Sequence, residues 1–250
     1  MRFAGRVVIV TGAAKGIGAV TAAGFAREGA RVAVLDIDGG GVDKVAAGLV
    51  AGGAEALGLK ADATSSADVR AAVEAVLARW GRIDVLVNNA GGFAAMRTFE
   101  DTSEAEWDAI LRSNLTSAFL VCQAVLPVMK RQQAGRIVNL ASVVARGGAV
   151  HVPAHYAAAK AGVIALTRML ALEVAALGIT VNAVAPGTTA TDRVLAARTP
   201  EDTARVAAAI PLRRLGRPAE IAESILFLAS DAASFVTGAV LDVNGGQEMA

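Results

Sequence analysis

Short runs of branched apolar residues alternate along this chain with longer, alanine-rich stretches whose apolar positions recur at helical spacing. The runs at 6–11, 31–36, 55–60, 83–88, 135–141, 180–185 and 240–243 read as strands. Between them, the spacing predicts helices near 16–28, 41–51, 66–80, 103–131, 156–177 and 218–229. Strands that are apolar on both faces and alternate with helices indicate βαβ crossovers and a parallel sheet covered on both sides. Right-handed crossovers then give a doubly wound α/β fold. No Pro/Ser-rich linker, charge block or repeat divides the chain, so residues 1–250 read as a single domain. The least regular segment is 186–211, which follows a strand end, where ligand-covering loops are common.

Composition narrows the packing. Hydrophobic residues make up 54% and aromatics only 4%, so the core is built from Ala, Val, Leu and Ile. With 26 glycines, that suits helices packed closely on a parallel sheet. The net charge of +1 gives no reason to expect nucleic acid or an anionic membrane as partner. The single cysteine, Cys122, excludes an internal disulfide, fits a reducing compartment and reads as a buried inert thiol. The N-terminus, a basic residue ahead of Val7–Val10, faintly imitates a signal peptide. It leads straight into Thr11-Gly12 without a cleavage site, so a buried first strand is expected. The uncharged stretches 113–129 and 174–191 are interrupted by polar residues, Pro or Gly and do not read as membrane spans. A cytoplasmic protein is the expectation.

Thr11-Gly12-Ala13-Ala14-Lys15-Gly16-Ile17-Gly18 lies between the first strand and the first helix. Glycines there permit a tight turn and close approach of backbone amides to a pyrophosphate, and the following helix N-terminus favours its charge. Asp36, at the end of the second strand, is placed to accept hydrogen bonds from an adenosine ribose, as in NAD binders; its bland alternative is a turn or helix-cap aspartate. Lys15 points the other way, toward the extra phosphate of NADP, or is simply a solvated loop lysine. Asp36 would repel that phosphate, so NAD is favoured over NADP.

Further along, Tyr156-Ala-Ala-Ala-Lys160 puts a phenol and an ammonium on one helical face, with Ser142 upstream at the end of an apolar strand. A free phenol has a pKa of about 10. A unit charge about 5 Å away, at an effective dielectric of about 20, is worth roughly 3 kcal/mol, or about two pKa units. A cationic cofactor ring is expected to supply most of the remainder.

In this order and spacing the motifs resemble the short-chain dehydrogenase/reductase family, classical type, almost end to end, from Thr11 to Asp242-Val243-Asn244-Gly245-Gly246. The family's glycine turn matches Thr11 to Gly18, and its N-N-A-G element matches Asn88-Asn89-Ala90-Gly91. The resemblance implies a Rossmann-like sheet with helices on both faces, a cofactor half at about 1–140 and a catalytic and substrate-loop half at about 141–250. It implies a catalytic tetrad of Asn114, Ser142, Tyr156 and Lys160. The implied cofactor-binding residues are Gly12, Lys15, Gly16, Ile17, Gly18, Asp36, Asp62 (toward the adenine), Asn89, Ala90, Gly91, Tyr156, Lys160, Pro186, Gly187, Thr188 and Thr191. Asn182, with Pro186-Gly187, matches the segment that reaches the nicotinamide. Thr188-Thr189-Ala190-Thr191 departs from relatives that carry a bulky apolar pair before their threonine, which leaves Thr188 and Thr191 as competing holders of the carboxamide.

The resemblance further implies reversible hydride transfer between NAD and a secondary alcohol or cyclic diol. In it, Tyr156 is the acid/base, Ser142 holds the substrate oxygen, Lys160 binds the nicotinamide ribose and Asn114 holds a relaying water. The 145–154 loop is similar to that of relatives that oxidise cyclic dihydrodiols. Gly92, Phe93, Val144, His151 and Val194 are candidate substrate-pocket residues. His155 is expected to point off the catalytic face, and Arg146 to be solvated rather than to meet a substrate anion. No residues group as a metal site. The rival enzyme reading is an NADP-dependent 3-oxoacyl-[acyl-carrier-protein] reductase, and the non-enzyme reading is a dinucleotide-sensing module, which is expected to lack a tetrad member. Pairing of the helices at 103–131 and 156–177, apolar over more than one face, predicts a homodimer or homotetramer.

Overall fold

The computed structural model describes residues 1–93, 95–147 and 152–249. Seven parallel strands form one sheet: β1 (Val7–Thr11), β2 (Arg31–Asp36), β3 (Ala56–Lys60), β4 (Val85–Asn88), β5 (Gly135–Leu140), β6 (Ile179–Pro186) and β7 (Val240–Val243). Their order is β3-β2-β1-β4-β5-β6-β7. The helices are α1 (Gly16–Arg27), α2 (Gly39–Ala51), α3 (Ser66–Trp80), α4 (Glu104–Leu111), α5 (Ser117–Gln132), α6 (Ala154–Val174), α7 (Asp192–Ala196), α8 (Pro200–Ala209) and α9 (Pro218–Ala229).

Alternation along β1 sets the two layers. Val8 and Val10 join Ala22 and Phe25 of α1 and Ile221, Ile225 and Leu226 of α9 on one face. Val7 and Ile9 join Val69 and Val76 of α3, Val121 and Val125 of α5 and Val174 of α6 on the other. The fully apolar strands of the sequence are thus strands buried on both sides.

Two local features differ from the sequence expectation. The helix expected at 103–131 is continuous but carries a π-helical turn, Arg112–Thr116, between α4 and α5. By length and composition this span, Glu104–Gln132, is apolar enough to cross a membrane; here α5 packs through Val121, Cys122, Val125, Val128 and Met129 into the sheet core. The segment 186–211, read as irregular, contains α7 and α8. Thr191 caps α7 and Thr199 caps α8, where Pro200 occupies the first turn. Neither helix has a buried residue, so the core imposes no apolar period on either.

The strand order runs outward in both directions from β1 and β4. The loops leaving their carboxyl ends therefore diverge, and a crevice opens between them.

Candidate active site

The crevice is built by close backbone contact. Gly12 has φ +62°, and a Cβ there would lie 2.7 Å from the Ala90 Cα. A Cβ on Gly18 would lie 2.6 Å from Asn89 Nδ2 and 2.9 Å from the Ala13 Cα. Both glycines are thus demanded by the approach of the β1 and β4 loops. Thr11 Oγ1 accepts from the backbone N–H groups of Asn89 and Ala90, each at 3.1 Å. Asn89 Nδ2 donates to the Thr11 and Gly12 carbonyls at 3.0 and 2.8 Å. The Asn89 side-chain NH2 is spent on fixing the turn.

Beyond this staple lies a cavity of about 590 Å³, lined by Gly12, Lys15, Gly16, Ile17, Asp36, Asp62, Asn89, Ala90, Gly91 and Thr191 among others. Gly18 lies beneath the wall rather than on it. Lys15 precedes α1 without a side-chain cap, and the first turn of α1 carries no acidic residue. Its leading N–H groups are therefore left for a ligand, which fits the pyrophosphate of a dinucleotide. Asp36 accepts from the Ala14 N–H through Oδ2 and from the Asp38 N–H through Oδ1, each at 3.1 Å. Each oxygen keeps a lone-pair direction for a hydroxyl donor. Asp62 Oδ1 accepts from both the backbone N–H and the hydroxyl of Thr64 at 2.8 Å, holding the far wall.

Ser142 follows β5, and Tyr156 and Lys160 lie on successive turns of α6. Lys160 is buried; its Nζ donates to the Leu140 carbonyl at 2.7 Å and lies 5.7 Å from the Tyr156 ring centroid. Burial, with the Arg193 charge adding to it, pushes the Lys160 ammonium down to about 7. Burial raises Tyr156 above the ordinary phenol value, against a hydrogen bond from Ser142 and the charge of Arg193, which lower it. Spacing alone predicts that Lys160 lowers Tyr156; here burial is the largest effect on each group and moves Tyr156 up and Lys160 down.

Asn114 sits in the π-helical turn, with its Oδ1 accepting from the Gly92 N–H at 2.7 Å and its Nδ2 donating to the Gly92 carbonyl at 2.9 Å. Its side chain thus fixes the loop that carries Phe93, whose ring packs 4.8 Å from that of Tyr156.

Several sequence expectations resolve at this site. Thr191 lines the cavity, while Thr188 does not; the Thr188 N–H donates to Gln247 Oε1 at 3.0 Å. Gly187 and Thr188 line a separate hollow of about 260 Å³, and Pro186 ends β6. Asn182 is buried and holds the 236–239 loop, donating to Val236 O and accepting from the Ala239 N–H, so its side chain does not face the crevice. Arg146 is not solvated: it pairs with Asp242 at 3.3 Å, both largely buried. His155 is buried, and its Nδ1 has no partner among the described residues. His151 lies outside the described residues. Among the described residues no His, Cys, Asp and Glu side chains group as a metal site.

Two features escaped the sequence. Asn88 Nδ2 donates to Asn139 Oδ1, whose own amide donates to Thr167 Oγ1, each at 2.9 Å. This buried polar chain ties β4 and β5 to α6; only the polar breaks in otherwise apolar runs signalled it. Asn88 Nδ2 also contacts the Cys122 thiol, which burial pushes up to about 12. The second feature is Arg193 on α7, whose Nη1 donates to the Gly91 carbonyl at 3.3 Å. No local sequence signal placed it there, because the contact joins segments 102 residues apart.

A glycine turn at the sheet's switch point, facing a Ser–Tyr–Lys group, defines a dinucleotide-dependent oxidoreductase. Residues 12–248 match a family model described as enoyl-(acyl carrier protein) reductase. The chain is 42% identical to 2-(S)-hydroxypropyl-CoM dehydrogenase 3 of Xanthobacter autotrophicus, over 98% of this chain and 97% of that one. It is 44% identical to cis-4-hydroxycyclohexanecarboxylate dehydrogenase of Sinomonas cyclohexanicum, with the same shares covered. It is 40% identical to the 3-oxoacyl-[acyl-carrier-protein] reductase FabG of Salmonella typhimurium, over all of both chains. The crystal structure of levodione reductase superposes with a TM-score of 0.94 at 37% identity, covering 98% of each chain. The chain belongs to the short-chain dehydrogenase/reductase family. It is an oxidoreductase acting on CH–OH groups or the corresponding ketones, with a nicotinamide cofactor.

Proposed function

We propose that the protein transfers hydride reversibly between NAD and a secondary alcohol or cyclic diol, with Tyr156 as the acid/base. The observation that carries this reading is the convergence of Ser142, Tyr156 and buried Lys160 beside a crevice whose far end presents the Asp36 carboxylate. Gly12, Gly16, the α1 N-terminus and Thr191 would hold the dinucleotide, with Asp36 toward its ribose and Asp62 toward its adenine. When bound, the dinucleotide supplies a hydride acceptor and, oxidised, a positive charge. Tyr156 takes the alcohol proton as general base and returns it in the reverse direction. Ser142, extended at φ −166°, bonds the substrate oxygen and fixes its distance from the phenol. Lys160 steadies the phenolate, while Asn114 positions the Gly92–Phe93 loop against the Tyr156 ring. A cyclic secondary alcohol is supported by the relative that acts on hydroxycyclohexanecarboxylate.

The rival, an NADP-dependent 3-oxoacyl-[acyl-carrier-protein] reductase, is favoured by the FabG relatives and by Lys15 on the crevice wall. Asp36 opposes it, since a carboxylate at the ribose end repels a phosphate. Turnover of secondary alcohols and cyclic diols, followed by NADH or NADPH absorbance at equal cofactor concentrations, decides between them. We expect NAD to be preferred; a clear NADPH preference with 3-oxoacyl substrates would sink the proposal. We further propose a cytoplasmic homodimer or homotetramer paired through α5 and α6, whose Phe119, Met169 and Leu172 are exposed. A monomeric mass by light scattering at micromolar protein counts against that pairing.

A further inference from the structure

The Arg193 guanidinium rests on the Gly91–Gly92 backbone. A Cβ added at Gly92 would lie 2.6 Å from its Cζ and from its Nη2. Asn114 also clamps Gly92, and Phe93, the next residue, packs on Tyr156. Arg193 lines the same cavity as the glycine turn, at the end where Gly91 and Gly92 lead to Phe93 and Tyr156, whereas Thr191, two residues earlier, packs toward Gly16 at the phosphate turn. Its charge reaches both Tyr156 and Lys160. Arg193 is exposed and has no carboxylate partner among the described residues; its one hydrogen bond is to a backbone carbonyl. By contrast Arg146, Arg214 and Arg217 are each paired with an acid. A guanidinium held beside a reacting centre with its fork unspent is a receptor for a planar oxyanion.

We propose that Arg193 is a specificity-determining residue that receives a carboxylate carried by the substrate alcohol. The substrate class is then a hydroxy acid whose carboxylate lies away from its carbinol carbon, toward α7. This deepens the reading of the protein as a secondary-alcohol dehydrogenase and rests on it for the identity of the reacting group, but not for the carboxylate contact itself. The φ of +132° at residue 92 favours glycine, and a side chain there would also meet the guanidinium.

The test is calorimetric and needs no turnover. The NADH-loaded protein is titrated with cyclohexanecarboxylate and with cyclohexanecarboxamide, which differ in charge and little in shape. A charge-assisted hydrogen bond corresponds to about ten- to hundredfold tighter binding of the carboxylate. In Arg193→Gln that preference should collapse to about threefold or less, and in Arg193→Lys part of it should return. Equal affinity for the two ligands in the wild type, no carboxylate binding at all, or a preference that survives Arg193→Gln overturns the proposal. So does a loss of NADH affinity of about tenfold or more in Arg193→Gln, which would make Arg193 a cofactor residue. A protein that binds the carboxylate through Arg193 yet oxidises no alcohol would sink the dehydrogenase reading and leave this one standing.

Discussion

Replacing Lys160 with methionine removes the buried ammonium and keeps much of the side-chain volume. Lys160 Nζ lies 5.7 Å from the Tyr156 ring centroid. At that separation a unit charge in an effective dielectric of about 20 is worth about 3 kcal/mol, or two pKa units of phenolate stabilisation. Tyr156 keeps a partly exposed edge, so water screens some of this, and we expect one to two units. Because Lys160 is pushed down to about 7, its charge acts only near and below neutrality. At pH 6–7 kcat/KM for alcohol oxidation should fall about ten- to hundredfold, and the gap between wild type and variant should narrow as Lys160 loses its proton toward pH 9. The assay is the pH dependence of NADH formation for the wild type and the variant from pH 6 to 10. A second effect separates charge from structure: the Leu140 carbonyl loses its donor, which costs about 1–3 kcal/mol, while a buried cation is also removed. Thermal denaturation reads that balance independently of the kinetics. If activity drops by the same factor at every pH from 6 to 10, Lys160 acts by position alone and its charge does not stabilise the phenolate.

Two further outcomes follow from the geometry. Gly18→Ala places a methyl 2.6 Å from Asn89 Nδ2 and 2.9 Å from the Ala13 Cα, so it should lower the urea midpoint by the equivalent of about 1–3 kcal/mol and weaken NADH binding, whereas Gly48→Ala, with open space around it, should do neither. Stability should rise from pH 7 toward 9: Lys160 is pushed down to about 7 from the usual 10.5, so across this window the unfolded chain binds more protons than the folded one. Above pH 9 Cys122, held protonated up to about 12, acts in the opposite sense. Urea unfolding at pH 7 and 9 checks this, and the rise should be absent in Lys160→Met.

What the sequence conveyed follows from where the physics is local. The strands at 31–36 and 240–243 and the helix at 66–80 coincide with β2, β7 and α3, since apolar runs and helical spacing are short-range signals. The Tyr156/Lys160 spacing is likewise a property of one helix. The π-helical turn at Asn114 was not legible in the apolar spacing; there the Asn114 amide donates to the Ile110 carbonyl one turn back and bonds Gly92 on another segment. Arg193 was missed for the same reason, and α8 because it buries nothing. Arg146 was misread as solvated since its partner Asp242 lies on β7, far along the chain. The sign of the Tyr156 shift also depended on tertiary burial, which spacing alone does not report.

The central claim is that the Tyr156 hydroxyl moves the alcohol proton. Tyr156→Phe deletes that oxygen and leaves the ring that packs on Phe93. Measured with NAD and an alcohol that the wild type oxidises, kcat/KM should fall by about 10²–10⁴-fold while NADH affinity stays within about threefold. Unchanged turnover in Tyr156→Phe would contradict the account.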